Sequence, residues 1–178
     1  QFSENGEKLY FGVAEKAVTE PKDTLLASEK AVLDVWHWKD ARLQPQQLVE
    51  LKRDLKKSNL AVYDLAKKSF LILGEEDLRI SLPKRGNPAY LLGYSVSPYQ
   101  NTYNWEYPYR MDIYKINVAT GNKTQVLKAQ IFGADLSPSG NYMTYFKDKD
   151  KQQYVLDFAT NKEVCITCSV KTDWFEDI

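Results

Sequence analysis

Three stretches decide how this chain is built: "VYDLAKKSFLIL" (Val62–Leu73), "KINVATGNKTQVL" (Lys115–Leu127) and "VLDFATNKEVCI" (Val155–Ile166). Each runs apolar residue, Asp or Asn, one residue, Ala, a polar turn, then an apolar strand. Period-two alternation on both sides of a short polar turn is the signature of a β-hairpin. The turns are Ala66-Lys67-Lys68, Thr120-Gly121-Asn122 and Thr160-Asn161-Lys162. Gly and Asn there supply the positive φ that a tight hairpin needs. Asp64, Asn117 and Asp157 hold the equivalent place, spaced 53 and 40 residues apart.

A second motif precedes the hairpins. "FSENGEKLYFG" (Phe2–Gly12) and "LSPSGNYMTYF" (Leu136–Phe146) share apolar, Ser, two residues, Gly, two residues, then an apolar run; "GNPAYLLG" (Gly86–Gly93) reads as the middle copy. Each unit is therefore a strand pair around Gly6, Gly86 or Gly140 followed by a closing hairpin. Repeats of about 40–50 residues with about four strands each are the pattern of propeller blades. The expected fold is all-β: a partial β-propeller of about three blades of four-stranded antiparallel sheets, with about four strands per blade. The units run over residues 1–75, 76–128 and 129–170, and 171–178, with Trp174 and Phe175, starts a further blade. Two insertions stretch the period: Ala14 to Leu33, and "SVSPYQNTYNWEYPYR" (Ser95–Arg110). Insertions in repeats map to loops, often on one working face.

Composition agrees. Of 178 residues 43% are hydrophobic and 27% charged, enough for a real core in one domain. Twelve Tyr tilt the chain toward strand surfaces. Lys plus Arg number 24 and so do Asp plus Glu, which leaves no net positive charge for a nucleic-acid binder working through bulk charge. The basic run "LKRDLKK" (Leu51–Lys57) reads as a solvated hairpin face. No apolar run approaches the ~18 residues of a membrane span, and no signal peptide is evident. Beginning on Gln1 inside a strand pattern, the chain reads as a cut-out of something longer.

Cys165 and Cys168 stand as Cys-x-x-Cys. A zinc site needs about four ligands, and the only histidine, His37, is distant in sequence. In an extended strand these two positions point to opposite faces, so the reading is two structural thiols. His37 lies in "LDVWHWKD" (Leu33–Asp40), which reads as a strand with Trp36 and Trp38 on one face and His37 on the other. That makes it a packed or half-exposed strand histidine rather than a base. No Gly-x-Ser-x-Gly nucleophile elbow is present, and the eight glycines are scattered at turns instead of cradling a phosphate. The expected catalytic, cofactor-binding and metal residues are therefore none.

"FSENGEKLYFGVAEK", "VLDVWHWKDARLQPQQ" and "SPSGNYMTYFKDKD" together resemble the N-terminal β-propeller of bacterial prolyl oligopeptidase family serine peptidases, nearest to dipeptidyl- and acylaminoacyl-peptidase-like members. The resemblance covers essentially the whole chain, and "VWHWKDARLQPQQ" is its most distinctive run. It implies a propeller seated over an α/β-hydrolase domain of the same parent chain, restricting access to short peptide substrates, in an exported, periplasmic or secreted protein. This chain departs from that pattern by stopping after about three blades, with no hydrolase, so no catalytic residue carries over. The chain itself is expected to be no enzyme, with the parent a serine peptidase.

The resemblance also bears on "LQPQQLVELKRDLKK" (Leu43–Lys57). Leu48, Leu51 and Leu55, with Pro45 near the start, fit an amphipathic helix. The resemblance favours strands running through it. Glu75-Glu76 invites comparison with the paired glutamates that hold a substrate amino terminus in dipeptidyl peptidases, but it reads better as a solvated turn between blades. The remaining candidate is "YQNTYNWEYPYR", where Trp105, Tyr107, Tyr109 and Arg110 are the expected ligand contacts and Arg110 is placed to pair with Asp112. Aromatic faces with a few polar groups bind peptide, sugar or bases. The plainer reading, and the favoured one, is a loop packing its own aromatics onto a neighbouring blade. A stand-alone propeller for protein or carbohydrate binding is the alternative function. Open sheet faces predict that the chain self-associates or repacks its terminal strands.

Overall fold

Within the computed structural model of the chain, residues 1–171 are described, apart from 17, 19–21, 23, 27, 32, 34, 83 and 84. Their strands form three antiparallel sheets. The first holds β1 (Lys8–Val13), β2 (Asn59–Asp64) and β3 (Ser69–Ile72). β4 (Arg79–Ser81), β5 (Tyr90–Ser95), β6 (Met111–Asn117) and β7 (Lys123–Gln130) make the second; β8 (Ala134–Leu136), β9 (Tyr142–Lys147), β10 (Gln152–Asp157) and β11 (Glu163–Cys165) make the third. Every sheet is a meander, each strand pairing with its neighbour in sequence, whether a short turn joins the two or, as from β1 to β2 and from β5 to β6, a long insertion. The first sheet has three strands, not the expected four. A single bridge from Phe2 to Leu9 stands in place of the fourth.

The hairpin motif works through the same bonds each time. Asp64 Oδ1 accepts the Ala66 and Lys67 amides at 3.1 and 2.9 Å. Asn117 Oδ1 accepts those of Ala119 and Thr120 at 2.9 and 3.0 Å, and Asp157 Oδ1 those of Ala159 and Thr160 at 2.8 and 3.4 Å. Four residues after each Asx, the chain turns left-handed, at Lys68, Gly121 and Asn161 (φ 52°, 74° and 55°). An Asx side chain that mimics a backbone turn is the reason these positions are Asp or Asn.

These bonds have a pH consequence. The Lys67 amide, first among several causes, holds the Asp64 carboxyl below its ordinary value of 3.8. The Ala159 amide does the same, first among its causes, for Asp157. A carboxyl depressed in the folded state contributes stability that is present above its unfolded pKa and lost as pH falls through its folded one. The melting temperature is therefore expected to decline as pH drops from about 5 to about 2. A double variant, D64N with D157N, keeps the turns, as Asn117 already does, and should decline less steeply. Equal slopes in acid melts would contradict this.

The Ser-x-x-Gly turns repeat as faithfully. Ser3 Oγ accepts the Lys8 amide at 2.9 Å and Ser137 Oγ accepts the Tyr142 amide at 3.1 Å. The Gly6 amide donates to Ser3 O at 3.0 Å and the Gly140 amide to Ser137 O at 2.8 Å. Strand register corrects the middle copy. Lys8 pairs with Asp64, Tyr90 with Asn117 and Tyr142 with Asp157, so Pro88, not Gly86, stands where Gly6 and Gly140 stand. Gly86 (φ 103°) instead lets the chain cross close to Pro138. Through this crossing the Glu4 amide donates to Gly86 O at 3.4 Å and the Ala89 amide to Ser139 O at 2.9 Å, tying the turns of all three sheets together.

Two cores lie between successive sheets. Tyr10, Val62 and Leu73 of the first sheet and its exit meet Leu78, Leu91, Ile116 and Val118. Leu92 and Ile113 on the other face of the second sheet meet Met143, Tyr145, Leu156 and Phe158. The middle sheet is thus covered on both faces, and burying one such Leu or Ile contributes about 1.5–3 kcal/mol.

Two segments depart from expectation. Leu43–Lys57 is not strand: it carries α1 (Gln44–Asp54), with "LKRDLKK" at its end rather than on a hairpin. Pro45 sits in the first turn, where its missing N–H costs nothing. The Arg42 guanidinium donates to Glu50 at 2.6 Å and Asp54 at 2.7 Å, clamping one side. Leu48, Leu51 and Leu55 are all exposed. The described residues of 33–40 are likewise no strand. Trp36 and Trp38 are exposed, and the His37 ring stacks on Trp38 at 6.2 Å instead of facing away from it. Residues 172–178, including Trp174 and Phe175, lie outside the described residues, as does part of the first insertion.

Candidate ligand-binding surface

β1, β5 and β9 are equivalent strands, and so are β2, β6 and β10. The connection from β1 to β2 carries α1, and that from β5 to β6 carries residues 96–110; β9 and β10 are joined by a short turn. Both insertions therefore leave equivalent strand ends.

The second insertion is built on one buried carboxylate. A 3-10 helix, Ser97–Thr102, follows β5. From it, the Tyr99 hydroxyl donates to Asp112 Oδ1 at 2.7 Å, and the Ala129 amide donates to the same oxygen at 2.9 Å. Asp112 sits where the β6–β7 register shifts, between Met111 and Ile113. Burial, and then the Asp112 carboxylate as hydrogen-bond acceptor, push the Tyr99 hydroxyl up to about 12. Asp112 is not the partner of Arg110; that guanidinium reaches Ala129 O at 3.4 Å.

Beyond the anchor the rings pack on one another. Tyr103 stacks on Tyr109 at 4.3 Å and donates from its hydroxyl to Arg110 O at 3.0 Å. Tyr107 meets Tyr109 edge-on at 5.7 Å, across a cis Tyr107–Pro108 bond. Trp105 is 72% exposed and Tyr107 86%. The structure thus gathers Tyr107, Tyr109 and Arg110 near Tyr103 and leaves Trp105 open. An ordered set of exposed rings beside one cation offers π-faces to a flat or CH-rich ligand. The favoured loop reading is met in part: the aromatics pack, but upon each other.

Other candidates resolve differently. Glu75 and Glu76 are exposed in the connection from β3 to β4, and Glu75 accepts a hydrogen bond from Lys123 of the second sheet. His37 Nδ1 accepts the Lys39 amide at 3.2 Å. Cys165 and Cys168 are joined in a disulfide, correcting the reading of two thiols. The extended geometry assumed for them ends at Cys165; the chain then turns, bringing the Cα atoms within 5.7 Å. Beside it, Tyr145 donates to Glu163 and the Tyr154 hydroxyl donates to Asp150 at 2.7 Å. Burial, helped by the Glu163 carboxylate, raises the Tyr145 pKa.

One feature escaped sequence reasoning: a cavity of about 260 Å³ on the outer side of the third sheet, lined by Phe132, Asp135, Thr144, Phe146 and Gln153. Its residues come from three separate strands or loops and share no local pattern. Among the described residues, no three His, Cys, Asp or Glu side chains cluster as metal ligands, and no helix is long and apolar enough to cross a membrane. No family model matches the chain, and no curated protein matches it.

Proposed function

We propose that this chain is a non-catalytic β-propeller segment that gates peptides onto an α/β-hydrolase domain of a secreted or periplasmic serine peptidase. What carries the propeller reading is one observation: three meander sheets with the same Asx turns, stacked so that equivalent faces are used in the same order. Propeller blades stack this way because none buries both faces alone. The peptidase reading rests on the resemblance of "VWHWKDARLQPQQ" and its flanking motifs. The chain's part is size selection: a ring of blades passes a short peptide and holds back a folded protein.

The exposed rings at Trp105, Tyr107 and Tyr109 favour a second reading, a propeller that only binds protein or carbohydrate. The reading frame past Ile178 separates the two. Further blades followed by Gly-x-Ser-x-Gly and later Asp and His support the gate; a frame ending after more blades supports the binder. For the chain itself, pure protein is expected to leave peptide p-nitroanilides intact. Hydrolysis blocked by a serine-directed inhibitor would overturn the non-catalytic assignment.

A further inference from the structure

Strand register makes every position in one sheet comparable with the others. Leu9 pairs with Tyr63, Leu91 with Ile116 and Met143 with Leu156, so these three pairs are equivalent. One residue beyond each Asx, Leu65, Val118 and Phe158 are equivalent too. Val118 and Phe158 are 3% and 4% exposed because the preceding sheet covers them; Leu65 is 43% exposed. Phe11 stands where Tyr145 stands, and it too is uncovered while Tyr145 is buried. Phe70 and Ile72 extend the same open face. The first sheet therefore carries the apolar residues of a receiving face, exposed at Leu65, Phe70 and Ile72.

The third sheet carries the opposite face. Thr144, Val155 and Val164 lie in register across β9, β10 and β11 on the side away from the second sheet. That is the side on which the first sheet offers Tyr10 and Val62, and the second offers Leu92, to their successors. Tyr142 is equivalent to Tyr90, whose ring meets Phe158 of the next sheet edge-on at 5.5 Å. Tyr142 itself is exposed, and the counterpart of Phe158 is the exposed Leu65.

We propose that the third sheet of one copy of this chain docks on the first sheet of a second copy, head to tail, with Tyr142 covering Leu65. The occupant follows from continuity: the same face-on-face contact is already made twice inside the molecule, and its two unused halves lie at opposite ends. A heterologous contact of this kind does not stop at a dimer unless it closes into a ring. Register and side-chain exposure within these 178 residues support this docking.

Sedimentation and light scattering across rising concentration test it. The wild-type mass is expected to climb from 20.6 kDa past that of a dimer. F70D blocks the first sheet and V164D blocks the third; both side chains are exposed, so the cores are untouched. Each variant alone should stay monomeric, and an equal mixture should form one dimer and stop, because one good face of each kind remains. I72D and Y142D repeat the experiment if either first variant melts below the wild type. A wild type that stays monomeric, a mixture that stays monomeric, or V164D dimerising alone through paired first sheets would each overturn the proposal.

Discussion

Replacing Gly140 by alanine is expected to destabilise the chain by about 3 kcal/mol, against about 1 kcal/mol for Gly6→Ala. The two glycines close the same Ser-x-x-Gly turn at nearly the same φ, 74° and 71°. Both substitutions carry the conformational cost of a Cβ in the left-handed region. Only Gly140 adds a collision: its Cβ would lie 2.8 Å from Ala89 N and 2.8 Å from Tyr90 O, whereas a Cβ at Gly6 meets nothing within 4 Å. Those atoms are main chain and cannot swing aside. The Ala89 amide also donates to Ser139 O in the same turn, so relief by movement would break the tie between second and third sheets. Urea midpoints or melting temperatures measure the difference; for a domain of this size each kcal/mol is worth about 2–4 °C. Equal losses at the two sites would mean the sheets are not held together through this turn.

Asp112→Ala is expected to cost about 2–4 kcal/mol and to free the aromatic loop. The alanine leaves the Tyr99 hydroxyl and the Ala129 amide, both now directed at one buried oxygen, without an acceptor. Both donors are half-buried, so water restores only part of the lost bonding. Ala129 holds φ 55°, unusual for a residue with a side chain, and the Asp112 bond is what fixes it there. Limited proteolysis should cut within residues 97–110 of the variant and spare the wild type. Asp112→Asn retains an acceptor oxygen and should keep most of the protection. Unchanged protease resistance in Asp112→Ala would show that the ring stack of Tyr103, Tyr107 and Tyr109 orders the loop by itself.

Asp112 shows why the site was only partly legible. Its neighbours in sequence suggested a pair with Arg110, two residues away. Its actual donors come from 13 residues before and 17 residues after it. The rings were legible as a cluster because five aromatics fall within Tyr99–Tyr109, but which of them stack, Tyr103 on Tyr109 with the Tyr103 hydroxyl on Arg110 O, follows from the path of the loop and not from spacing. The helix α1 was misread although its leucine spacing was correct. The resemblance favoured strands over that spacing, and the clamp from Arg42 to Glu50 and Asp54, spanning 8 and 12 residues, makes no local pattern. The cysteines were misread because an extended chain was assumed to continue past Cys165.

What the sequence alone determined is the local chemistry: three Asx turns, two Ser-x-x-Gly turns and the strands they join. Those bonds close over two to five residues, so the residue types that make them must sit side by side in the chain. The tertiary structure alone decided which face of each sheet is covered. Leu65, Val118 and Phe158 are interchangeable in sequence pattern, yet one is exposed and two are buried. Burial depends on what another sheet, tens of residues away, lays across the position, and no local pattern encodes the presence of that neighbour.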